Sequence, residues 1–542
     1  MEEKIFDREI YLDILRKRVN GLKEGYRQNI AIIGDEQIGK TSLVFKFLDK
    51  FCDNLIVNVY LEIRPERLSD FAKRYVGALL YNFLLNSDTA PKENTDFLIS
   101  KSEKYIPKTV EKIRHILNSV NKRKKNDIFA ELLFLCESLH QETGKFCVII
   151  FDEFQNLENL GFKNLYHEWS KILMTQKSTL HIIISSAKYK AREILAKNLS
   201  LLFGNFEVLT IEPLDIKTSE KYLLKMPQGE ELNSDFRNFI VHFAGGYPIY
   251  LRLISEALSK QDNTAQGRAL KLSAQPALLT GVLENLLFDS SGILNQKFSV
   301  YIKRFLDSGF SNSHISILCL IAEGRNKIKD IAHILKLQKK DLVLKINHLL
   351  ELDIITRNAD FIKINDRVFG FWLRFVYQEK LRSFSFDTKS QKEQFRKNTQ
   401  NILHDFLLSA QKPLMERMSE LLRLFEDETM QIKKRKIRLN HFREIKPLEF
   451  NNAQLKDGLI GRSDDCLWIM GLKHGELTEE DVSEFAKECK KYRHKLQRKI
   501  IVTLEDINAN TRLKALEEKV WAWDVNNLNL LLDLYSKPWV IA

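Results

Sequence analysis

One glycine-rich segment near the N-terminus constrains the fold of this chain more than any other feature. The apolar run 29–33 has the composition of a buried strand, and the run 43–48 that follows the glycines is typical of a helix. Between them stands the pattern Gly-x-x-x-x-Gly-Lys-Thr, from Gly34 to Thr41. A strand, a glycine-rich loop and a helix in this order predict a phosphate-binding loop, because backbone N–H groups at the helix N-terminus point at phosphate oxygens.

The loop residues have distinct expected roles. The residues expected to bind nucleotide phosphates are Gly34, Gly39, Lys40, Thr41 and Ser42. The Lys40 ammonium is expected to reach the β- and γ-phosphates, and the Thr41 hydroxyl is expected to bind Mg²⁺. The alternative is a chance Gly-Lys-Thr turn, and a second motif downstream counts against it.

That second motif is the run 146–154, in which apolar residues end in the acids Asp152 and Glu153. Both carboxylates therefore stand at the C-terminal edge of a buried strand. There Asp152 could hold the metal, directly or through water, and Glu153 could polarise the attacking water. Two acids that close a core strand are costly without a cation, so the two motifs together predict a nucleoside triphosphate site with Mg²⁺.

Further apolar runs extend this pattern to a five-stranded parallel sheet. Three more strands are expected at Leu55–Leu61, Leu180–Ser186 and Phe206–Ile211. Helical patterns separate the strands, at roughly 69–85, 128–141, 161–175 and 188–198. Strands that alternate with helices predict an α/β fold with helices on both faces of the sheet. Ser185 and Ser186 close their strand beside the acids, where Ser186 could sense the γ-phosphate; an N-cap for the next helix is the alternative.

Composition narrows the class of protein. The 542 residues include only 10 Pro and 21 Gly, which favours a helix-rich chain with short connections. We expect no membrane helix and no signal peptide, and six scattered cysteines without a C-x-x-C pair favour a reducing, cytoplasmic location. The net charge of +12 makes a polyanionic partner plausible.

Several motifs together resemble the archaeal-type ATPases, within the STAND branch of the AAA+-like P-loop ATPases. Arg8, in Phe-Asp-Arg-Glu ahead of the loop, resembles the Arg-Glu motif of that branch. Phe203-Gly204 followed by Pro213-Leu214 resembles a further motif of the family, and Ala-Gly-Gly-Tyr-Pro248 resembles the Gly-x-Pro motif of its helical lid. The resemblance covers roughly residues 1–380. It implies ATP as the nucleotide, with Arg8 and Pro248 close to it.

The chain departs from the family at one position. Where relatives often carry an arginine after the Phe-Gly pair, this chain has Asn205, so a candidate arginine finger is missing. Arg192 and Arg252 are weaker substitutes, and each could equally be a solvated surface arginine.

A winged helix-turn-helix is expected next. Segments 314–324, 327–335 and 341–352 are typical of three short helices, and 354–357 with 361–364 read as a two-stranded wing. The third helix could present basic and polar residues to double-stranded DNA, with wing residues on phosphates: Lys339, Lys340, Lys345, Asn347, His348, Arg357 and Lys363. A packing or signalling role is the alternative. The basic segment 101–125 is either a solvated helical insertion or a surface for nucleic acid or a partner protein.

The C-terminal part resembles a PD-(D/E)xK nuclease-like domain. Its expected order is strand, strand, helix, strand, with the helix opening at Thr478. In such enzymes an Asp and the acid of E-x-K hold Mg²⁺, and Asp457 and Lys473 fall on matching positions. The second acid is replaced by Gly471, so the resemblance implies a degenerate nuclease site used for binding or assembly. An active nuclease and an unrelated α/β domain are the alternatives.

The sequence therefore predicts five domains: an ATPase core at 1–212, a helical lid at 213–300, a winged helix-turn-helix at 301–380, a helical linker at 381–440 and a small restriction-endonuclease-like α/β domain at 441–542. The favoured function is a Mg²⁺-dependent ATP-hydrolysing switch that acts with DNA, a partner protein or further copies of itself. An ATP-gated nuclease and a non-hydrolysing scaffold that holds ADP are the competing hypotheses.

Overall fold

The chain divides into two compact units. The computed structural model describes residues 6–87, 90–121, 124–200, 206–226, 229–262, 275–307, 309–382, 388–432, 435–450, 455, 457–492 and 495–541. The first unit comprises Met1–Pro213, Tyr247–Ile249 and Glu351–Asp353; the second comprises Leu214–Gly246, Tyr250–Leu350 and Ile354–Ala542. The expected Phe203-Gly204 motif and Asn205 lie outside the described residues, as do Lys122 and Arg123 of the basic segment.

A five-stranded parallel sheet forms the centre of the first unit. Its strands are β1 (Ile30–Gly34), β2 (Ile56–Glu62), β3 (Phe146–Asp152), β4 (Thr179–Ser185) and β5 (Glu207–Ile211), in the order β2-β3-β4-β1-β5. All neighbouring pairs are parallel, which confirms the sheet predicted from the apolar runs. The carboxyl ends of β1, β3 and β4 consequently lie at one edge, where the loop and both acids are placed.

Helices connect these strands. They are α1 (Glu9–Lys23), α2 (Lys40–Lys50), α3 (Leu68–Leu85), α4 (Thr95–Ser102), α5 (Pro107–Ser119), α6 (Lys125–Thr143), α7 (Leu165–Thr175) and α8 (Lys188–Lys197), with a 3₁₀ turn at Phe154–Leu160. The core contains an aromatic cluster in which the Phe151 ring lies 6.4 Å from Phe71 and 5.7 Å from Trp169. Phe151 immediately precedes Asp152, so this packing fixes the end of the acidic strand.

The described part of the basic segment at 101–125 includes the end of α4 and the surface helix α5. Buried Val110, Ile113 and Ile116 attach α5 to the core. Its charges have local partners: Arg114 pairs with Glu103 at 2.5 Å, and the Lys112 ammonium donates to the Ser138 hydroxyl at 2.6 Å. The arrangement favours a solvated helical insertion over a dedicated nucleic-acid surface.

The second unit begins with helices that follow the sheet. These are α9 (Ile216–Leu224), α10 (Ser234–Ala244), α11 (Pro248–Asp262), α12 (Gln275–Leu287) and α13 (Ile293–Asp307), the start of α11 belonging to the first unit. Gly246 links α10 to α11 with a φ of +79°, and its carbonyl accepts a hydrogen bond from the Leu214 N–H at 2.9 Å. A side chain here would collide with the Leu214 carbonyl, so only glycine fits.

Short helices and a hairpin follow where the sequence predicts them. They are α14 (Asn312–Ala322), α15 (Ile328–Leu335), α16 (Lys339–Glu351), β6 (Ile355–Asn358) and β7 (Phe361–Ile364). The hairpin is antiparallel. Helix α17 (Arg367–Trp372), a π-turn at Leu373–Tyr377 and α18 (Gln378–Arg382) come next. The DNA-binding role of this module stays a prediction.

The expected helical linker at 381–440 is only partly helical. After α19 (Thr388–Gln411) and α20 (Leu414–Leu422), residues of the basic run form an antiparallel hairpin of β8 (Glu428–Ile432) and β9 (Arg435–Leu439). Met430, Ile437 and Leu439 are buried with α20 in the core of the C-terminal part. The prediction of a polar helix was wrong here. The apolar residues of these strands recur at every second position, and the charged residues between them mask that alternation in the sequence.

A mixed five-stranded sheet completes the unit. Its strands are β10 (Glu444–Glu449), β11 (Asp457–Arg462), β12 (Leu467–Lys473), β13 (Leu496–Thr503) and β14 (Trp521–Trp523). The helices are α21 (Glu479–Cys489), α22 (Ala509–Glu517) and α23 (Val525–Leu534), with a 3₁₀ turn at Lys490–Tyr492. The first three strands are antiparallel neighbours, and β12, β13 and β14 are parallel. Across the described parts of the chain, no helix is long and apolar enough to cross a membrane.

Two glycine substitutions with opposite expected effects test this packing. Gly246→Ala should lower stability by about 1–3 kcal/mol, because the new Cβ collides with backbone. Gly77→Ala, inside α3 with nothing within 4 Å of its Cβ position, should instead raise stability by about 0.5–1 kcal/mol. Thermal unfolding midpoints report both changes, and equal shifts in one direction would contradict this description of the Gly246 turn.

Candidate nucleotide-binding site

The glycine-rich loop joins β1 to the first turn of α2. Gly34 ends β1, and Gly39 caps α2 in the left-handed region with a φ of +97°. An L-residue at position 39 would be strained, whereas glycine lets the following N–H groups turn into the loop. The structure thus places Gly34, Gly39 and the helix start as the motif predicts.

Lys40 is held inside the loop. Its side chain is only 5% exposed, and its ammonium donates to the Asp35 carbonyl at 2.7 Å. Burial lowers the pKa of Lys40, and the nearby Glu153 and Asp152 carboxylates partly oppose that shift. An anionic phosphate in the loop would favour the charged form in the same way.

Asp152 connects the acidic strand to the loop. Its Oδ2 accepts hydrogen bonds from the Thr41 hydroxyl at 2.7 Å and from the Tyr60 hydroxyl at 2.8 Å. Burial raises the pKa of Asp152, whereas the two hydroxyl donors lower it. Tyr60 lies on β2 and was missed in the sequence, because nothing in its local pattern shows that its side chain reaches β3.

The donor set at this point fits Mg²⁺. A hydroxyl and a carboxylate oxygen are hard ligands, and Mg²⁺ in nucleotide sites is usually held by one or two protein oxygens together with phosphates and waters. Thr41 and Asp152 supply these oxygens. Within the described ranges, no group of three or more His, Cys, Asp or Glu residues forms a metal site that would compete with this one.

Glu153 is oriented by three donors on one oxygen. Its Oε2 accepts from the Ser186 hydroxyl at 2.8 Å, from the Ser186 N–H at 3.0 Å and from the Gln155 amide at 2.6 Å. Gln155 in turn accepts a hydrogen bond from the Ser185 hydroxyl at 2.6 Å. The backbone of Glu153 has a φ of +53°, which turns its side chain toward β4. Ser186 therefore binds Glu153, and the residue at the N-cap of α8 is Ala187.

The remaining residues of the expected site lie outside the loop and the acidic strand. The Arg8 guanidinium donates to the Glu212 carbonyl after β5 at 2.7 Å, and Pro248 begins α11. Arg192 is exposed on α8, and Arg252 lies 3.9 Å from Glu256. The two arginines have the surroundings of surface residues.

The structure does not bring Asp457 and Lys473 together in the C-terminal sheet. Gly458 pairs with Gly471 across β11 and β12. Because side chains alternate along a strand, Asp457 points to one face of the sheet and Lys473 to the other. Asp457 is exposed, whereas Lys473 is buried in an ion pair 2.9 Å from Asp481 at the start of α21. Burial raises the pKa of Asp481, but the hydrogen bonds from Lys473 and Thr478 lower it overall.

Aromatic rings fill the face of the sheet that carries Lys473. A side chain at Gly458 would collide with the Phe450 ring, and a Cβ at Gly471 would lie 2.9 Å from the Phe485 ring. The residue paired with Gly471 on this face is thus Gly458 rather than Asp457. Neither position supplies a carboxylate, so the metal-binding pair of a nuclease is missing.

The wing residues expected to contact phosphates, Lys363 and Arg357, form contacts within the second unit. Lys363 and Arg367 both pair with Asp533, which also accepts from the Trp539 indole at 2.9 Å. Burial raises the pKa of Asp533, but these two cations hold it well below its ordinary value. Arg357 donates to the Ala359 carbonyl at 2.9 Å.

The edge of the wing lies along the hairpin of β8 and β9. The Thr429 N–H donates to Asp360 at 2.7 Å, and the Gln431 N–H donates to Asn358 at 2.6 Å. On α16, Lys339, Lys340, Asn347 and His348 are exposed, around a Leu344 that is 50% exposed. The edge of the wing is therefore packed inside the unit, and α16 retains a mixed basic and apolar face.

Part of the chain matches the model of a known protein family. Residues 5–254 match a family model described as an ATPase domain predominantly from Archaea. The sequence matches no curated protein.

Solved structures match this chain at low identity and with TM-scores below 0.5. A Walker-type ATPase of Pyrococcus abyssi has 19% identity and a TM-score of 0.44, with 68% of this chain and 96% of that chain covered. The ORC2 protein of Aeropyrum pernix, solved with ADPNP and ADP, has 11% identity and a TM-score of 0.42 over 74% and 95% of the two chains. The ORC1 protein of the same organism, in complex with DNA, has 13% identity and a TM-score of 0.35, with 68% of this chain and 92% of that chain covered. At these identities and scores, no function is transferred from them.

Lys40→Ala should abolish ATP binding without unfolding the protein. The loop is shaped by backbone geometry at Gly39, so removal of the ammonium deletes a phosphate contact and leaves the turn. Titration with a fluorescent ATP analogue measures the loss. Lys50→Ala, at the exposed end of α2, is the matched control and should bind as the unaltered protein does. ATP hydrolysis by Lys40→Ala at the unaltered rate would refute the site.

The purified protein should cleave neither single- nor double-stranded DNA with Mg²⁺ or Mn²⁺, with or without ATP, because Gly458 and Gly471, the paired positions on the face of Lys473, carry no carboxylate. Gly471→Glu should lower the unfolding midpoint and create no activity, since the Phe485 ring occupies the space. Gel analysis of labelled DNA provides the measurement. Strong cleavage that disappears in Asp457→Asn, an exposed substitution that should stay folded, would contradict this reading.

Proposed function

We propose that this protein is a Mg²⁺-dependent ATPase of the STAND/AAA+-like class that works as a nucleotide-driven switch. The observation that carries the proposal is the 2.7 Å hydrogen bond between Thr41 and Asp152. It joins the helix start of the phosphate loop to the end of the acidic strand, where a nucleotide-bound cation needs both oxygens.

The residues divide the work as follows. The loop N–H groups and Lys40 bind and orient the phosphates, and Thr41 with Asp152 holds Mg²⁺, which neutralises phosphate charge when bound. Glu153 orients the attacking water and accepts its proton. Because Oε2 already takes three hydrogen bonds, the proton goes to Oε1. Ser186 and Gln155 position Glu153 for this role.

A regulatory role is supported by the C-terminal part. Its sheet has the strand and helix order of a nuclease-like domain, but glycines and aromatic rings stand where metal-binding acids are needed. Its helix α23 supplies Asp533 to the wing and to Arg367 at the start of α17. A domain fixed in this way is suited to binding and assembly, and the missing carboxylates count against the ATP-gated nuclease.

Double-stranded DNA is the second candidate partner, beside a partner protein. It is favoured by the net charge of +12 and by the exposed Lys339, Lys340 and Asn347 on α16. Electrophoretic shifts at two salt concentrations test it, with Lys340→Glu as the variant. Binding that neither falls with salt nor weakens in Lys340→Glu would leave the protein partner as the proposal.

Glu153→Gln should keep ATP bound and slow its turnover by about 10²–10⁴-fold, because the amide keeps the shape of the side chain but cannot accept the water proton. Chromatography of the nucleotide recovered after incubation is the measurement, and mostly ATP is expected. Glu158→Gln is the matched control, since Glu158 pairs with Lys190 on the surface. Recovery of mostly ADP from Glu153→Gln would remove Glu153 from the mechanism.

A further inference from the structure

Two lysines contact the same residue of the phosphate loop, Asp35: one contacts its backbone carbonyl and the other its carboxylate. The Lys40 ammonium donates to the Asp35 carbonyl at 2.7 Å, and the Lys188 ammonium lies 2.5 Å from the Asp35 carboxylate. The Lys188 and Asp35 side chains are each only 17% exposed. A half-desolvated pair of this kind is stronger than a surface salt bridge, and it lies in the loop that must accept phosphates.

The acids of the loop create a problem for an anionic ligand. Asp35 and Glu36 both lie between Gly34 and Gly39, so the loop carries two negative charges beside the expected phosphates. Like charges at a few ångströms repel strongly in a partly buried site. A cation that pairs with Asp35 reduces this repulsion, and the same cation is attracted by an incoming phosphate.

Lys188 is placed between the loop and the catalytic carboxylate. It is the first residue of α8, two residues after Ser186, whose hydroxyl binds Glu153 at 2.8 Å. The next residue, Tyr189, donates its N–H to Asp353 at 2.9 Å. The backbone on both sides of Lys188 is thus anchored, and a change of partner needs only rotation of its flexible side chain.

We propose that Lys188 exchanges Asp35 for the γ-phosphate when ATP binds, so that it is the residue that distinguishes ATP from ADP. The proposal rests on the proposed ATPase function. Lys40 reaches the phosphates from within the loop, and Lys188 approaches from the end of β4, beside the carboxylate that orients the attacking water. ADP ends at the β-phosphate and leaves Lys188 on Asp35. Lys188 then acts as a cationic sensor of the γ-phosphate.

A simpler role is that Lys188 only neutralises Asp35. The two roles differ in what Asp35→Asn does. If Lys188 is only a counter-ion, removal of the Asp35 charge makes Lys188 dispensable. If Lys188 binds the γ-phosphate, Asp35→Asn releases it, and loss of Lys188 still weakens ATP binding in the Asp35→Asn background.

The experiment measures dissociation constants of ADP and of the β,γ-imido analogue of ATP by calorimetry, with Mg²⁺, on the full chain. Lys188→Ala should weaken binding of the analogue by about 10- to 100-fold, the range for a lost bond to a charged group. It should weaken binding of ADP by a clearly smaller factor, because ADP loses only the neutralisation of Asp35. Lys188→Arg should retain most of the preference. Lys190→Ala, two residues along α8 and paired with Glu158 at 2.5 Å, should alter neither constant. Melting curves establish that each variant is folded.

The double variant decides between the two roles. Asp35→Asn/Lys188→Ala should bind the analogue at least 10-fold more weakly than Asp35→Asn, and equal affinities would overturn the proposal. If Lys188→Ala weakened the binding of ADP and of the analogue by the same factor, that would also overturn the proposal. Failure of the ATPase function is recognised separately, because the unaltered protein and Lys40→Ala would then bind the analogue alike.

Discussion

The nucleotide site depends on one hydrogen bond between residues 111 positions apart, from the Thr41 hydroxyl to the Asp152 carboxylate. It can form only because β1 and β3 end at the same edge of a parallel sheet, with β4 between them. Asp152 is 3% exposed, so its charge is costly unless polar partners meet it. Thr41 and Tyr60 supply those partners without nucleotide, and the same oxygens suit a cation that arrives with ATP.

Charge balance at this edge explains why the site is organised around lysines. Asp35, Asp152 and Glu153 surround Lys40, and Lys188 closes the group from the start of α8. Burial lowers the pKa of Lys40, and the neighbouring acids partly oppose that shift. The ion pair between Lys188 and Asp35 is the contact that the proposed exchange with the γ-phosphate would break.

The C-terminal sheet shows how register decides chemistry. Asp457 and Lys473 match a nuclease pattern along the chain, but pairing of Gly458 with Gly471 sends the two side chains to opposite faces. Phe450 and Phe485 fill the face on which a metal would lie, and Lys473 is neutralised by Asp481. In the same unit, Asp533 draws Lys363 and Arg367 inward, so charges that look free in the sequence hold the wing in place.

Local patterns determined much of this protein. The strands of the first sheet, the loop from Gly34 to Thr41 and the acids of β3 were predictable, because apolar runs and glycine spacing act over a few residues. The hairpin of β8 and β9 was not, since charged residues mask its alternation. Tyr60, Gln155 and Lys188 are likewise ordinary in sequence and gain their roles only from strand order, which brings β2, β3, β4 and the loop to one edge. The sequence therefore determined the motifs for phosphate and metal binding. Tertiary structure decided which other side chains join them at the site, because side-chain direction depends on pairing between distant segments.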